Sequence, residues 1–299
     1  MFIIKYRKIF FIFSGLLIIA SITALALWQF NFGIDFVGGS LLEIKWIEKS
    51  PANEQVEQVF SELELGDVDI RITKNKGMLL RFKNVNEKIH QNILNGLEEK
   101  LGKVEEKRFE AIGPIIGEEL KKKAIWSISL ALIAILIFVA WAFRRVSFPV
   151  KSYKYGLIAV IALFHDVLIV MGIFSVLGKF GGVEVGVSFV AAILTILGYS
   201  VNDSIVVFDR IRENLLDYKN KSQDFKKTVG QSLKQTITRS VNTSLTTLLV
   251  LFAIFFFGGA SIHYFVLALI LGIFFGTYSS LFIASPLLIS WEKKTSNNY

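Results

Sequence analysis

The sequence predicts a polytopic α-helical membrane protein with six transmembrane helices and one small α+β, ferredoxin-like extracytoplasmic domain. Of the 299 residues, 53% are hydrophobic and 27 are Phe, whereas soluble domains average about 45–50% apolar residues. The apolar residues concentrate in runs of about 20, the length that crosses a hydrocarbon core of about 30 Å. Between the first two runs, residues 31–123 are polar enough to fold as a soluble domain.

Six membrane spans are predicted from the apolar runs. They cover Ile9–Phe30, Ala124–Phe143, Tyr155–Leu177, Val187–Phe208, Val241–Phe257 and Tyr264–Trp291. The first run is too long for the apolar region of a signal peptide, and the residues after it do not form a cleavage site, so it is interpreted as a retained anchor. The predicted domains are 1–30 (N-terminus and first span), 31–123 (outside domain), 124–291 (five-helix bundle) and 292–299 (tail).

Basic residues are distributed unevenly along the chain. Residues 31–123 carry 15 Lys and Arg against 17 Asp and Glu, whereas the remainder carries 18 basic and 8 acidic residues. The excess borders alternate span ends, at Lys5, Arg7, Lys8, Arg144, Arg145, Lys151, Lys154, Arg210, Arg212, Lys219, Lys221, Lys226, Lys227, Lys234, Lys293 and Lys294. Because cytoplasmic loops carry such an excess, both termini are predicted to be cytoplasmic and residues 31–123 extracytoplasmic. This topology explains the net charge of +8 better than nucleic-acid binding does.

Residues 31–123 show the patterns of a small mixed domain. The predicted elements are strand Leu41–Trp46, helix Glu54–Glu64 capped by Asn53, strands Val68–Thr73 and Met78–Phe82 around the turn Lys74–Gly77, helix Glu87–Leu101 and strand Val104–Glu110. Their β-α-β-β-α-β order is that of a ferredoxin-like unit. No catalytic constellation is visible in it, so a scaffold or binding module is predicted.

Two glycine motifs flank this domain. In Asp35-Phe-Val-Gly-Gly39, Gly38 and Gly39 permit backbone angles that are closed to other residues. A tight turn into the first strand explains this motif as well as a functional role does. Gly113-Pro114, after the last strand, is interpreted as a breaker ahead of a helix.

Composition excludes several chemistries. The absence of cysteine excludes disulfides, Cys-ligated zinc and thiol catalysis. Three histidines leave little for a His-rich metal site, and no P-loop is present. We therefore expect no enzymatic activity, no catalytic residue, no metal and no cofactor.

Two acidic residues lie within predicted spans. His165 and Asp166 fall near the middle of the third span, and Asp203 follows Asn202 in the fourth. A carboxylate at such a depth costs roughly 2.5–3.5 kcal/mol on insertion scales, so it is usually functional. For His165 and Asp166 the alternatives are a proton relay and helix–helix hydrogen bonding. Neighbouring helical residues point about 100° apart, so the two are predicted to serve different neighbours.

The fifth span opens with a polar stripe. Arg239, Thr243 and Thr247 recur every fourth residue, so they share one helix face that is predicted to meet another helix or a wet passage. Arg239 is a candidate partner for Asp203. The alternatives are a carboxylate that binds and releases protons and a static buried ion pair. Nearer the cytoplasmic end, Asp209 and Arg210 are interpreted as an interfacial charge pair.

Taken together, these motifs resemble the SecF branch of the SecD/SecF family of protein-export membrane proteins, within the resistance-nodulation-division superfamily. The resemblance rests on Asp35-Phe-Val-Gly-Gly39, Gly113-Pro114, His165-Asp166, the segment Gly198-Tyr-Ser-Val-Asn-Asp-Ser-Ile-Val-Val-Phe-Asp-Arg-Ile-Arg-Glu-Asn214, Thr-Ile-Thr-Arg239 and Thr243-Ser-Leu-Thr-Thr247. The six spans with one domain after the first also match. Ser204 and Ser240 stand where Thr is common in the family.

The resemblance implies a role in the Sec pathway of the bacterial plasma (inner) membrane. It implies partnership with SecD in a twelve-span unit that assists the SecYEG channel, cooperates with YidC and acts on unfolded exported polypeptides. Such a unit is expected to use the proton motive force, or a sodium gradient, at late steps of export. By resemblance, Asp203, Arg239 and Thr243 match the family's proton-pathway positions.

Three other classes of protein fit the sequence less well. A small-molecule efflux transporter of the same superfamily usually carries two large outside domains, whereas this chain has one small one. An intramembrane aspartyl protease needs paired carboxylates, but Asp166 follows His and Asp203 follows Asn, outside the contexts typical of that class. In a purely structural subunit, the polar residues would only hold helices together.

Overall fold

The structure, a computed structural model, describes residues 2–48, 50–73, 77–143, 151–217 and 224–296. The chain divides into a helical unit, Met1–Asn31 with Ile125–Tyr299, and a smaller α+β unit, Phe32–Ala124. Several residues to which the sequence assigns a role lie outside the described part: Lys74, Asn75 and Lys76 of the predicted turn, and the basic residues Arg144, Arg145, Lys219 and Lys221.

Helices dominate the chain, with four strands near its N-terminal end. In chain order, the elements are α1 (Phe2–Lys5), α2 (Arg7–Trp28), α3 (Ile34–Val37), β1 (Gly39–Trp46), α4 (Asn53–Glu62), β2 (Asp69–Thr73), β3 (Gly77–Phe82), α5 (Glu87–Leu101), β4 (Val104–Ile112), α6 (Pro114–Ala142), α7 (Ser152–Gly181), α8 (Val187–Asp217), α9 (Phe225–Phe257), a 3₁₀ turn (Ala260–Ile262), α10 (His263–Ser279), a π-helical segment (Ser280–Ala284) and α11 (Ser285–Ser296). Six helices among the described residues are long and apolar enough to cross a membrane, which confirms the predicted fold class.

The helices extend beyond the predicted spans. α9 begins at Phe225 rather than at Val241, because Phe225, Val229 and Leu233 recur every fourth residue and are buried along its polar half. α6 begins at Pro114, a residue suited to the first position of a helix because its missing N–H needs no partner there. The last span is interrupted by the π-helical segment, which the hydropathy pattern does not predict.

Three helices form the interior of the helical unit. The apolar stretches of α7 and of the last span are each 61% buried, and that of α8 is 50% buried, against 17% for α2 and α9 and 6% for α6. The peripheral helices therefore expose apolar side chains such as Ile12, Ile133 and Leu249. Such surface is what lipid or a neighbouring membrane helix covers.

Small residues bring α8 and α10 into close contact. A Cβ atom added at Gly272 would overlap the side chain of Ile196, and one added at Gly276 would lie 3.0 Å from the Cβ of Ser200. The Gly-x-x-x-Gly spacing therefore serves packing inside this chain, as small-residue motifs do in membrane bundles.

The α+β unit has the predicted β-α-β-β-α-β order. Its four strands form an antiparallel sheet in the order β2-β3-β1-β4, with an irregularity between Glu43 and Ile44 of β1. α4 and α5 contribute apolar side chains to one core with the central strands: Leu42, Ile44, Trp46, Val56, Val59, Phe60, Leu65, Met78, Leu80, Phe82, Val85, Ile93 and Leu97. Apolar side chains alternate along the strands and recur every three or four residues along the helices, so each element presents one apolar face to this core.

Several element ends differ from the prediction by one or two residues, including the starts of β1, β2 and β3 and both ends of α4. The N-cap of α4 is Ala52 rather than Asn53, and the Gln55 side chain accepts a hydrogen bond from the Ala52 backbone N–H at 3.0 Å. β4 continues to Ile112, because Gly39 and Ser40 of β1 pair with its last residues. α5 begins and ends as predicted, and its N-cap Asn86 accepts a hydrogen bond from the N–H of Ile89.

The two glycine motifs contact each other. Gly38 has φ 75° and ψ 171°, a region that essentially only glycine adopts, and Gly39 has φ 125°. A Cβ atom on Gly38 would lie 2.9 Å from the Cα of Pro114, and one on Gly117 would lie 3.0 Å from the backbone N of Gly38. The turn into β1 therefore rests directly on the first turn of α6.

We expect Gly38→Ala to destabilise the chain more than Gly102→Ala does, by about 1–3 kcal/mol, because backbone atoms of Pro114 obstruct the added methyl group. Gly102 is the matched control: its φ of 102° and ψ of 171° carry the same backbone cost, but nothing lies within 4 Å of its added Cβ. Thermal unfolding of the purified full chain measures the difference. Equal unfolding midpoints for the two variants would show that the contact with Pro114 contributes nothing.

Candidate functional site

Two carboxylates are buried in the helical unit. Asp166 on α7 is fully buried, and Asp203 on α8 is 8% exposed. Among the described residues, no other Asp or Glu is buried. A buried charge requires hydrogen bonds or a counter-charge, so the neighbours of these two groups determine what they can do.

Asp166 is held by three helices. Ser200 Oγ on α8 and Ser279 Oγ on α10 donate hydrogen bonds to its Oδ2, at 2.6 and 2.7 Å. Its Oδ1 lies 2.8 Å from Nδ1 of His165. His165 and Asp166 therefore bind each other directly, whereas their further partners differ: Ser200 and Ser279 for Asp166, and Tyr278 for His165.

His165 completes this buried cluster. Its ring lies against that of Tyr278, with centroids 6.1 Å apart, and the Tyr278 hydroxyl lies 3.1 Å from Ser14 Oγ on α2. Within the described residues, Nε2 of His165 is buried without a hydrogen-bond partner. The cluster thus combines a carboxylate and an imidazole, the two side chains that most often exchange protons in proteins.

Asp203 contacts the residue after Ser279. Ser280 Oγ donates a hydrogen bond of 2.5 Å to Oδ2 of Asp203. Ser280 is also the first residue of the π-helical segment, and its carbonyl oxygen accepts a hydrogen bond from Ser285 Oγ at 3.1 Å. Consecutive serines therefore connect the two buried carboxylates, at a π-helical turn of the kind that is frequent at functional sites.

Arg239 is not the partner of Asp203. Arg239 is exposed on α9, and among the described residues no ion pair joins it to Asp203. The buried partner of Asp203 is instead the neutral hydroxyl of Ser280. A static ion pair between Asp203 and Arg239 therefore does not hold α8 and α9 together.

The polar stripe of α9 lies on the outside of this chain. Thr243 is exposed, Thr247 is half-buried, and the Thr247 hydroxyl donates to the carbonyl oxygen of Thr243 at 3.0 Å. Asn202 on α8 is likewise exposed, although Asp203 beside it is buried. Arg239 and Thr243 of the stripe are therefore exposed in the described part of this chain, whereas one of the two predicted alternatives placed the stripe against another helix.

Charged residues at the end of α8 connect it to α9. Asp209 pairs with Arg212 at 2.7 Å, and Arg210 binds Glu213 at 2.5 Å and the Gln235 side-chain oxygen at 2.7 Å. The predicted pair between Asp209 and Arg210 is therefore wrong: each finds a partner three residues along the helix, where side chains share a face.

Three site residues were missed by sequence reasoning. Ser200, Ser279 and Ser280 bind the two carboxylates, and all three are almost fully buried. Ser279 and Ser280 are adjacent hydroxyl residues within a predicted span, which is a detectable signal. Serine is common in membrane helices, because its hydroxyl can donate to its own backbone, so the signal is weak.

The site does not resemble a hydrolase or a metal centre. Asp166 and Asp203 bind different serines, whereas a protease dyad requires two carboxylates that share a proton. No group of three His, Asp or Glu among the described residues is placed to hold a metal ion.

Comparison with known families identifies related proteins. The family described as protein export membrane protein SecD/SecF, C-terminal, matches residues 93–294, and the SecD/SecF GG motif matches residues 29–45. Protein translocase subunit SecF of Thermobaculum terrenum is 41% identical over 98% of this chain and 94% of its own length. The corresponding subunit of Anaerolinea thermophila is 37% identical over 99% of this chain and 96% of its own.

Solved structures show the same architecture. The crystal structure of SecDF from Thermus thermophilus, a translocon-associated membrane protein, matches with a TM-score of 0.83 and 32% identity. The match covers 97% of this chain but 38% of that protein. By its sequence, its matched motifs and its architecture, the chain belongs to the SecD/SecF family of protein-export membrane proteins.

Proposed function

We propose that the chain is an accessory subunit of the Sec protein-translocation machinery that couples movement of protons, or of sodium ions, to late steps of export across the bacterial plasma membrane. The observation that carries this proposal is the pair of buried carboxylates, Asp166 and Asp203, bound by the consecutive hydroxyls of Ser279 and Ser280. Ion movement alters the charge of such groups, and a change of charge alters the packing of the helices that bind them.

The energy available is sufficient for such coupling. One elementary charge that crosses a potential of about 150 mV releases about 3.5 kcal/mol. That free energy changes the ratio of two conformations by a few hundredfold. Ser279 on α10 binds the carboxylate of Asp166, and Ser280 in the π-helical segment binds that of Asp203. A change in the charge of either carboxylate would therefore also affect the packing of the last span.

SecD is the proposed partner. The similar SecDF protein is a single chain of which this sequence matches 38%, and we infer that the rest of such a unit is supplied here by SecD. Arg239 and Thr243 of the stripe on α9, and Asn202 on α8, are exposed polar residues that are costly against lipid. We infer that SecD covers this stripe, and that Asp203, Asn202, Arg239 and Thr243 then line a shared ion pathway, with His165 and Asp166 as a second titratable cluster.

The family resemblance suggests further partners for the chain. The distribution of basic residues suggests which side of the membrane each segment faces. SecYEG, YidC and the unfolded exported polypeptide are proposed to interact with the assembled unit. The basic excess at alternate span ends supports cytoplasmic termini and an extracytoplasmic α+β unit. The proposed role involves transport without catalysis, and Asp35, Gly38, Gly39, Gly113, Pro114, Asp209 and Arg210 are assigned structural roles.

Copurification and vesicle transport together test the proposal. The full chain, expressed with SecD, is expected to copurify with SecD and SecY and to increase preprotein translocation into membrane vesicles only when an ion gradient is imposed. Separate proton and sodium gradients identify the ion. Copurification with an efflux assembly instead, or stimulation that is independent of any gradient, would support the transporter or the structural alternative.

Removal of the hydroxyl that binds Asp203 is expected to destabilise the chain. Ser280→Ala deprives a buried carboxylate of a hydrogen bond, a loss of about 1–3 kcal/mol. Ser290→Ala is the matched control, because its hydroxyl binds only the carbonyl oxygen of Pro286 within its own helix. The thermal unfolding midpoint in detergent is expected to fall for Ser280→Ala and to stay within error for Ser290→Ala; equal midpoints would contradict a stabilising role of the hydroxyl.

A further inference from the structure

A basic groove lies where α1 and α2 meet the start of α9. Its volume is about 990 Å³. Six cationic side chains line it: Lys5, Arg7, Lys8, Lys226, Lys227 and Lys234. The lining includes a single acid, Asp224, whose Oδ1 caps α9 by accepting the backbone N–H of Lys226 at 3.0 Å. Among the described residues that line the groove, six cations therefore stand against one acid, so its electrostatic potential is strongly positive.

The groove is part of the folded helical unit rather than a free tail. Ile3 and Ile4 of α1 are 4% and 5% exposed and belong to the main apolar core of the bundle. They hold α1 in place, and the chain turns at Tyr6 before α2 begins at Arg7. The three N-terminal cations are thereby fixed opposite those of α9, so a ligand would meet a site that is already formed.

Arg7 has an unused hydrogen-bond donor in this place. Its Nη1 is buried and has no hydrogen-bond partner among the described residues. A guanidinium presents donors in a fork that matches the oxygens of a phosphate group. An unsatisfied donor of a charged group is costly when it is buried, and a bound anion would remove that cost.

An apolar surface begins next to the groove. Phe2 on α1 and Ile9, Ile12 and Phe13 on α2 are at least half exposed. The charged groove therefore lies at the end of a span whose outer face is suited to acyl chains. Positive charge at a span end with lipid-facing apolar side chains beside it is the arrangement that binds anionic lipid head groups.

We propose that this groove is a binding site for an anionic phospholipid, with the phosphate bound by Arg7 and the lysines and the acyl chains lying along α2. Six cations exceed what one phosphate requires, so a head group with two phosphates fits the site better than one with a single phosphate. The occupant would hold the start of α9 against α1, and thus support the helix that carries the exposed polar stripe.

Native mass spectrometry of the purified full chain tests this site. Cardiolipin, phosphatidylglycerol and phosphatidylcholine are titrated separately, and inorganic phosphate is added in a parallel arm. The expected order of affinity is cardiolipin, then phosphatidylglycerol, with phosphatidylcholine at least about tenfold weaker than cardiolipin, since each nearby cation contributes about 1 kcal/mol toward an anionic surface.

The double variant Lys226→Gln, Lys234→Gln is expected to bind cardiolipin about thirtyfold more weakly, at about 1 kcal/mol for each cation removed. The matched control is Lys88→Gln, Lys103→Gln, which removes the same charge from exposed positions of the α+β unit and is expected to bind unchanged. Lys226 and Lys234 are exposed, so the unfolding midpoint in phosphatidylcholine is expected to stay constant and to show that the variant is folded.

Three outcomes would overturn the assignment. Unchanged cardiolipin affinity in the Lys226→Gln, Lys234→Gln variant would show that the groove is not the site. An equal loss in the control variant would show a general charge effect. Binding of inorganic phosphate as tight as that of cardiolipin would assign the groove to a free anion instead.

Discussion

Replacement of Asp203 by asparagine is expected to abolish the dependence of protein export on the ion gradient while the chain still assembles with SecD. Asparagine has nearly the same size, and its side-chain oxygen can still accept the hydrogen bond from Ser280 Oγ. It cannot bind or release a proton at neutral pH. In membrane vesicles, preprotein translocation with an imposed gradient is therefore expected to fall to the level measured without one.

Asp209→Asn is the matched control for this experiment. Asp209 lies on the same helix but is exposed, and its pair with Arg212 is a surface contact of the kind that contributes little. Its gradient-dependent export is expected to remain close to that of the unaltered chain. If Asp203→Asn assembles normally and keeps its full response to the gradient, ion coupling at this carboxylate is wrong and Asp203 is structural.

The second large effect is expected at the contact between α8 and α10. In Gly272→Ala, the added methyl group would overlap three side-chain atoms of Ile196, which is itself 1% exposed. A β-branched side chain in a helix has one strongly preferred rotamer, so it cannot simply turn aside. Overpacking of this kind costs about 1–3 kcal/mol, and we expect a clear fall in the thermal unfolding midpoint.

A second substitution isolates this contact. Ile196→Ala removes the obstructing atoms, so the double variant with Gly272→Ala is expected to lose less stability than the two single variants combined. Gly198→Ala controls for the intrinsic helix preference of alanine, because nothing lies within 4 Å of its added Cβ. Strict additivity of Ile196→Ala and Gly272→Ala would refute the proposed packing.

Hydropathy and residue spacing predicted part of the candidate site. Hydropathy identified Asp166 and Asp203 as anomalous, since each interrupts an apolar run and burial of charge is costly. The same reasoning paired Asp203 with Arg239, whereas Asp203 binds Ser280, and it did not predict the direct contact between His165 and Asp166. In each case the direction of the side chain depends on packing between helices, which residue spacing alone does not specify.

Sequence by itself determined the six spans, the β-α-β-β-α-β order of the smaller unit and the two acids that burial makes costly. These follow from local properties: the length of apolar runs, the periodicity of side chains and the cost of charge in hydrocarbon. Tertiary structure alone decided that Ser200, Ser279 and Ser280 bind those acids and that Arg239 faces outward. The physical reason is that residue number sets depth, at about 1.5 Å for each residue, whereas the rotation of each helix depends on packing between spans that are far apart in the chain.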